Sequence, residues 1–322
     1  MVKKILVVDD EPDVRDTVKT VLEKNNPHIV NMKHIKKEIE DELKAVKNTP
    51  KKADLNKQEG SLKQHIDKKT KDDNKKDRQE WVSTGIEGFD ALLDNGLPIG
   101  ASILVCGGPG SGKTIFGLQT LVHGMEQGEK CLYMTFEERP ERLMNHMYDF
   151  GWDGEKYVKE GKLKIQRYNP YDITRQVEAM LEKAKGELLI DIKPILFPAD
   201  FKPDRVVIDS LSAIASAFVD KDETYRIYIE QLFRIFEEME CTSFMISETS
   251  DQKKLTTSGV EEFLADGLIF IYNVKHGNIR ESAIECLKLR GAGFQKKIAS
   301  MQIISGKGIE VYPEQEVFSD ID

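Results

Sequence analysis

Residues 101–125 read ASILVCGGPGSGKTIFGLQTLVHGM. An apolar run from Ser102 to Cys106 has strand character, a glycine-rich turn follows, and an amphipathic helix is predicted to open at Lys113 or Thr114. The turn comprises Gly107, Gly108, Pro109, Gly110, Ser111 and Gly112, and it leads directly into Lys113 and Thr114. This spacing is that of a phosphate-binding loop. Glycine lets successive backbone N–H groups face phosphate oxygens at the positive end of a helix with no Cβ in the way. In such a loop Lys113 neutralises the β- and γ-phosphates and the Thr114 hydroxyl ligates Mg²⁺, so ATP and Mg²⁺ are the expected ligand and cofactor.

A phosphate loop needs an apolar strand that ends in a carboxylate. The stretch RVVIDSLSAI, residues 205–214, supplies one: Val206, Val207 and Ile208 form the strand, and Asp209 ends it as the residue expected to hold magnesium through water. A helix with Ile229, Leu232, Phe233 and Phe236 on one face comes next, then a further apolar strand, SFMIS, over 243–247. Strands alternating with helices predict an α/β fold with a mostly parallel sheet flanked by helices. GLIFIYNV, SAIECLKLRG, ASMQIIS and GIEVYP read instead as successive strands with short turns, an antiparallel C-terminal extension of that sheet.

Hydrolysis requires that water be oriented and deprotonated. Glu137 and Glu138 follow the strand CLYMTF (131–136), so they fall at a strand's carboxyl end, where ligands of open α/β sheets collect. A carboxylate there can accept the proton of an attacking water. Ser247 and Glu248, ending the strand after that of Asp209, are candidates for sensing the γ-phosphate.

Charge is unevenly distributed over the 322 residues, whose net charge is −9. Residues 1–80 carry 20 basic and 17 acidic side chains, and the rest carry 27 and 39. The acidic balance of the larger part argues against broad binding to a nucleic-acid backbone, leaving nucleic acid as an unfavoured partner. Apolar runs are too short to span a bilayer, so no membrane association and a cytoplasmic location are expected. Cys106, Cys131, Cys241 and Cys286 are widely spaced and lie in or beside strand-like runs, which reads as buried reduced thiols.

Residues 4–23, KILVVDDEPDVRDTVKTVLE, resemble the first strand and helix of a two-component receiver domain, with Asp9 and Asp10 as the acidic pair. The later strand, phosphate-accepting aspartate and Ser/Thr and Lys of a receiver do not follow, so residues 1–25 read as a truncated receiver-like start that is not phosphorylated. Residues 26–80 read as a charged linker, with a narrow apolar stripe at Ile35, Ile39, Leu43 and Val46. The chemistry-bearing domain then covers 81–322.

That domain resembles the RecA-superfamily ATPases of the KaiC type. The resemblance is carried, in order, by STGIEGFDALLDNGLP, GGPGSGKT, TFEE, FGWD, YDITRQVEAMLEKA, VVIDSLSAI, GVEEFLADGLI and LKLRG. It implies a RecA-like P-loop NTPase fold, a slowly hydrolysing ATPase, and a homo-oligomer in the form of a ring, a hexamer among the candidates. It also implies that Glu137 and Glu138 activate water and that Lys288 and Arg290 reach the nucleotide of a neighbouring subunit. Glu261 and Glu262 stand where clock-type relatives carry the autophosphorylated hydroxyls, so that modification is not expected, and RGAGFQKK departs from the family's usual turn after Arg-Gly. Three roles follow as alternatives: an oligomeric nucleotide-dependent regulatory switch acting on an unidentified protein partner, a recombination accessory or helicase-like ATPase stimulated by single-stranded DNA, and a nucleotide-gated partner-binding module with incidental turnover.

Overall fold

The computed structural model describes residues 80–183, 198, 200–249, 255–256, 258–276, 278–315 and 317. The receiver-like start and the charged linker with its apolar stripe lie outside the described residues, apart from Glu80.

Two short strands, β1 (Trp81–Val82) and β2 (Leu97–Pro98), pair antiparallel ahead of the main sheet. The parallel strands are β3 (Ser102–Gly107), β4 (Cys131–Thr135), β5 (Leu163–Arg167), β6 (Arg205–Asp209), β7 (Thr242–Glu248) and β8 (Gly267–His276). Antiparallel strands β9 (Ile279–Leu289), β10 (Ala299–Ile304) and β11 (Gly308–Tyr312) extend the sheet beyond β8. Across the sheet the order is β11-β10-β9-β8-β3-β7-β6-β4-β5. The mostly parallel sheet with an antiparallel C-terminal extension is therefore present as the sequence predicts.

The central strands are apolar throughout because both faces of the sheet are covered. Period-two alternation sends Ile103, Val105, Tyr133, Val207, Phe244 and Ile246 into one core and Leu104, Cys106, Leu132, Met134, Val206, Ile208 and Met245 into the other. Helix α1 (Lys113–Glu126) fills the first core with Phe116, Leu121 and Met125. Helices α2 (Pro140–Asp149) and α3 (Gly154–Lys159) lie between β4 and β5, and α4 (Pro170–Lys183) follows β5. Short helix α5 (Leu211–Ser216) leads to α6 (Asp222–Met239), which places Tyr225, Tyr228, Ile229, Leu232, Phe233 and Phe236 in the second core at helical spacing. Helix α7 (Val260–Leu264) precedes β8.

Arg205 opens β6 with only 1% of its surface exposed. Burying a guanidinium is unfavourable unless its N–H groups are satisfied. Here Nε and Nη2 donate to the two carboxylate oxygens of Glu129 at 2.7 Å each, and Nη1 donates to the carbonyls of Ser83 and Thr120. Gly124 on α1 allows this approach, since a Cβ there would meet Glu129 Oε2 at 2.6 Å and Arg205 Nε at 2.9 Å. The four cysteines are buried and free, and burial raises their thiol pKa values, which leaves them poor nucleophiles.

Candidate nucleotide-binding site

The loop from Gly107 to Gly112 joins β3 to α1. Gly112 stands at the helix N-cap with φ 102°, a left-handed conformation that a side chain strains. Gly107 has a different reason to lack a side chain: a Cβ would lie 2.5 Å from the Ile271 carbonyl oxygen and 2.6 Å from Ser111 Oγ. The Ser111 hydroxyl is buried and has no hydrogen-bond partner among the described protein groups. Lys113 Nζ donates to the carbonyls of Gly107 and Gly108 at 2.9 Å each and lies 3.9 Å from Glu248 Oε1. Its burial pushes the ammonium pKa below the ordinary lysine value, although Glu248 and Asp209 oppose the shift.

Asp209 stands at the carboxyl end of β6 and is 7% exposed. Its Oδ2 accepts hydrogen bonds from Thr114 Oγ1 at 2.9 Å and from the Tyr133 hydroxyl at 2.6 Å. Burial raises the carboxyl's pKa, while the two donors oppose that rise. The Thr114 hydroxyl is a hard oxygen donor of the kind Mg²⁺ takes, and the Asp209 carboxylate beside it would hold the ion through a coordinated water, with the other positions left to phosphate oxygens and water. The residues present therefore fit a magnesium nucleotide. Among the described residues there is no group of three or more His, Cys, Asp or Glu that could hold a metal by itself.

The glutamate pair divides. The Phe136 N–H donates to the Asp209 carbonyl, which brings the end of β4 beside the end of β6. Glu137 Oε1 then accepts from Ser210 Oγ at 2.5 Å, and the peptide between Asp209 and Ser210 is cis. Ser210 Oγ also accepts from the Ala213 N–H, capping α5. Glu138 turns toward α2, where its Oε2 lies 3.2 Å from both Arg142 Nε and His146 Nε2. Ser247 is buried, with Oγ 3.4 Å from Ser212 Oγ, and Ser212 also receives the Glu248 N–H at 2.8 Å.

Lys288 and Arg290 are not brought to the loop of their own chain. A register shift between β8 and β9 pairs Leu268 with Lys288 and Ile269 with Cys286, so Leu287 is an extra residue and the bulge re-aims its neighbours. Lys288 Nζ donates to the carbonyls of Glu262 and Ala265 at 2.9 and 2.6 Å, and Arg290 Nη2 donates to that of Phe263 at 2.7 Å. These cations thus satisfy carbonyls at the end of α7. They sit where β8 begins, beside Ile103, whereas the phosphate loop follows Gly107 at the other end of β3. Glu261 is buried and accepts from Tyr225 and Ser258, and Glu262 accepts from Thr256.

Two site residues escape a reading of the sequence. Ser210 looks like an ordinary helix cap after Asp209, and Tyr133 looks like one apolar residue of a strand. The only signal for Tyr133 is a polar-tipped aromatic near the end of an otherwise aliphatic run.

An α/β domain with a glycine loop between strand and helix, and a carboxylate hydrogen-bonded to the first helical hydroxyl, is a phosphate-loop nucleotide-binding domain. Residues 82–316 match the family model described as ATPase: KaiC, and the chain belongs to that family. It is 36% identical over 242 residues to the circadian clock protein KaiC3 of Synechocystis sp. and 32% identical over 240 residues to the circadian clock oscillator protein KaiC of Synechococcus elongatus. Those matches cover 75% and 72% of this chain but 47% and 44% of the relatives, so the chain spans about half the length of the curated relatives it matches. A crystal structure of a KaiC-like protein from the hyperthermophilic archaeon Pyrococcus horikoshii aligns with a TM-score of 0.60 at 32% identity, covering 73% of this chain and all of the other. The general type is that of an ATP-binding ATPase domain with a RecA-like KaiC fold. No helix among the described residues is long and apolar enough to cross a membrane.

Proposed function

We propose that this chain binds ATP with Mg²⁺ at the loop 107–114, hydrolyses it slowly to ADP and phosphate, and serves as an oligomeric nucleotide-dependent regulatory switch. The observation that carries the reading is the convergence of the start of α1 with the ends of β4 and β6: Thr114 bonded to Asp209, and Glu137 bonded to the adjoining Ser210. Loop N–H groups and Lys113 bind the phosphates, which requires Lys113 to exchange its bonds to Gly107 and Gly108 for phosphate oxygens. When bound, Mg²⁺ supplies charge neutralisation at the β- and γ-phosphates.

The Glu137 carboxylate orients a water and accepts its proton as the oxygen attacks the γ-phosphorus. Ser210 fixes which carboxylate oxygen is free to do so. Glu138, held by Arg142 and His146, has a secondary part. Lys288 and Arg290, at the far end of the strands from their own loop, serve the nucleotide of a neighbouring copy in a ring, so that turnover depends on assembly. The KaiC names of the relatives support the regulatory role. Steady-state ATP hydrolysis across a protein-concentration series, with and without single-stranded DNA at low salt, tests the reading. Specific activity should rise with protein concentration and ignore DNA. Many-fold stimulation by DNA would favour the recombination or motor role instead.

A further inference from the structure

We propose that Tyr133 is a positioning residue for magnesium: its hydroxyl holds the Asp209 carboxylate in the orientation that receives the Mg²⁺ of a bound nucleotide. The inference rests on the assignment of Asp209 to magnesium and adds a residue to that site.

Tyr133 is fully buried in β4, two residues before the strand ends, and its ring shares a core with Val207, Phe244 and Ile246. Its hydroxyl reaches Asp209 Oδ2 at 2.6 Å, shorter than the 2.9 Å bond from Thr114 to the same oxygen. A phenylalanine would fill the same apolar space without importing a hydroxyl that needs an acceptor, so packing alone gives no reason for the polar tip. Two donors arriving at one carboxylate oxygen, from α1 and from β4, fix the rotation of the carboxylate plane. A single bond from Thr114 leaves that plane free to turn. Thr114 is itself assigned to the metal, whereas the Tyr133 hydroxyl, enclosed in the core, donates to Asp209. Outer-shell groups that orient a metal site in this way typically change metal affinity by about 10- to 100-fold when removed.

The test is equilibrium binding of a fluorescent ATP analogue to the full chain, first in EDTA and then across a Mg²⁺ titration, for wild type, Tyr133→Phe and Tyr228→Phe. Tyr228 is the matched control: it is a fully buried tyrosine of the other core, and its hydroxyl has no partner among the described protein groups. Tyr133→Phe should raise the half-saturating Mg²⁺ concentration about tenfold. Affinity in EDTA should stay within about twofold of wild type, and Tyr228→Phe should leave both quantities unchanged. An unaltered Mg²⁺ midpoint in folded Tyr133→Phe, or equal losses with and without Mg²⁺, overturns the inference.

If Tyr133→Phe does not fold, the double variant Tyr133→Phe/Asp209→Asn decides. Recovery of folding ties the hydroxyl to the carboxylate and supports the inference, and failure of both variants assigns the hydroxyl to packing and overturns it. Absence of any Mg²⁺ dependence in wild type is a separate outcome, which removes the assignment of Asp209 to magnesium and with it the inference.

Discussion

Ser210 Oγ donates a 2.5 Å hydrogen bond to Glu137 Oε1, while the neighbouring Glu138 carboxylate turns away to Arg142 and His146. Two adjacent glutamates with one sequence signature therefore have different surroundings. Glu137→Gln should lower the ATP hydrolysis rate by about 10²- to 10⁴-fold, the range for loss of a general base, with ATP binding preserved. Glu138→Gln should lower it less. Single-turnover rates on ATP-loaded protein check both, and an equal loss in the two variants would refute the division of labour.

Lys288 and Arg290 bind carbonyls at the end of α7 in their own chain. Lys288→Ala should therefore have two effects: a stability loss of roughly 1–2 kcal/mol from the lost charge-assisted bonds, and loss of the rise in specific activity with protein concentration. Chemical denaturation and the concentration series are read on the same preparation. A stability loss that leaves the concentration dependence intact would confine Lys288 to capping α7.

The Arg205–Glu129 pair is buried on the arginine side and bidentate. Removing one partner leaves the other charge uncompensated. Glu129→Ala should destabilise the domain by about 3–5 kcal/mol in denaturant unfolding. A loss below about 1 kcal/mol would mean that the carbonyls of Ser83 and Thr120 suffice for the guanidinium.

Burial raises the pKa of Tyr133, Tyr225 and Tyr228 above the ordinary tyrosine value of 10.0. Each stays neutral in the folded chain at pH values where the unfolded chain ionises. Their contribution to stability is complete below pH 10 and is lost progressively as pH rises above it. Tyrosinate absorbance from these residues should thus appear together with the loss of circular dichroism in one alkaline transition. Smooth titration of all tyrosines in a folded chain would contradict the burial described.

Much of the sheet was legible because a strand covered on both faces must be apolar throughout, as in Ile103–Cys106 and Val206–Ile208. The phosphate loop was equally legible, since the requirement for glycine at Gly107 and Gly112 is local. The edge strand β5, Leu163–Arg167, is hard to read because its alternation, Leu163 and Ile165 against Lys164 and Gln166, lasts only four residues and only Leu163 is fully buried. Helices α2, α3 and α7 were not drawn from periodicity, the last two having six and five residues. What Tyr133, Ser210 and Lys288 touch was illegible for another reason. Their partners Asp209, Glu137 and Ala265 lie 76, 73 and 23 residues away, and no local pattern encodes such pairings.

The register that starts β8 beside Ile103 sets the two cations and the phosphate loop at opposite ends of the same strands. Under a two-fold axis, two antiparallel copies would set each cation end against the other's phosphate loop and close as a dimer. Copies that engage head to tail instead would form either a closed cyclic assembly, in which every loop meets a neighbour's cations, or an open filament whose terminal loop does not.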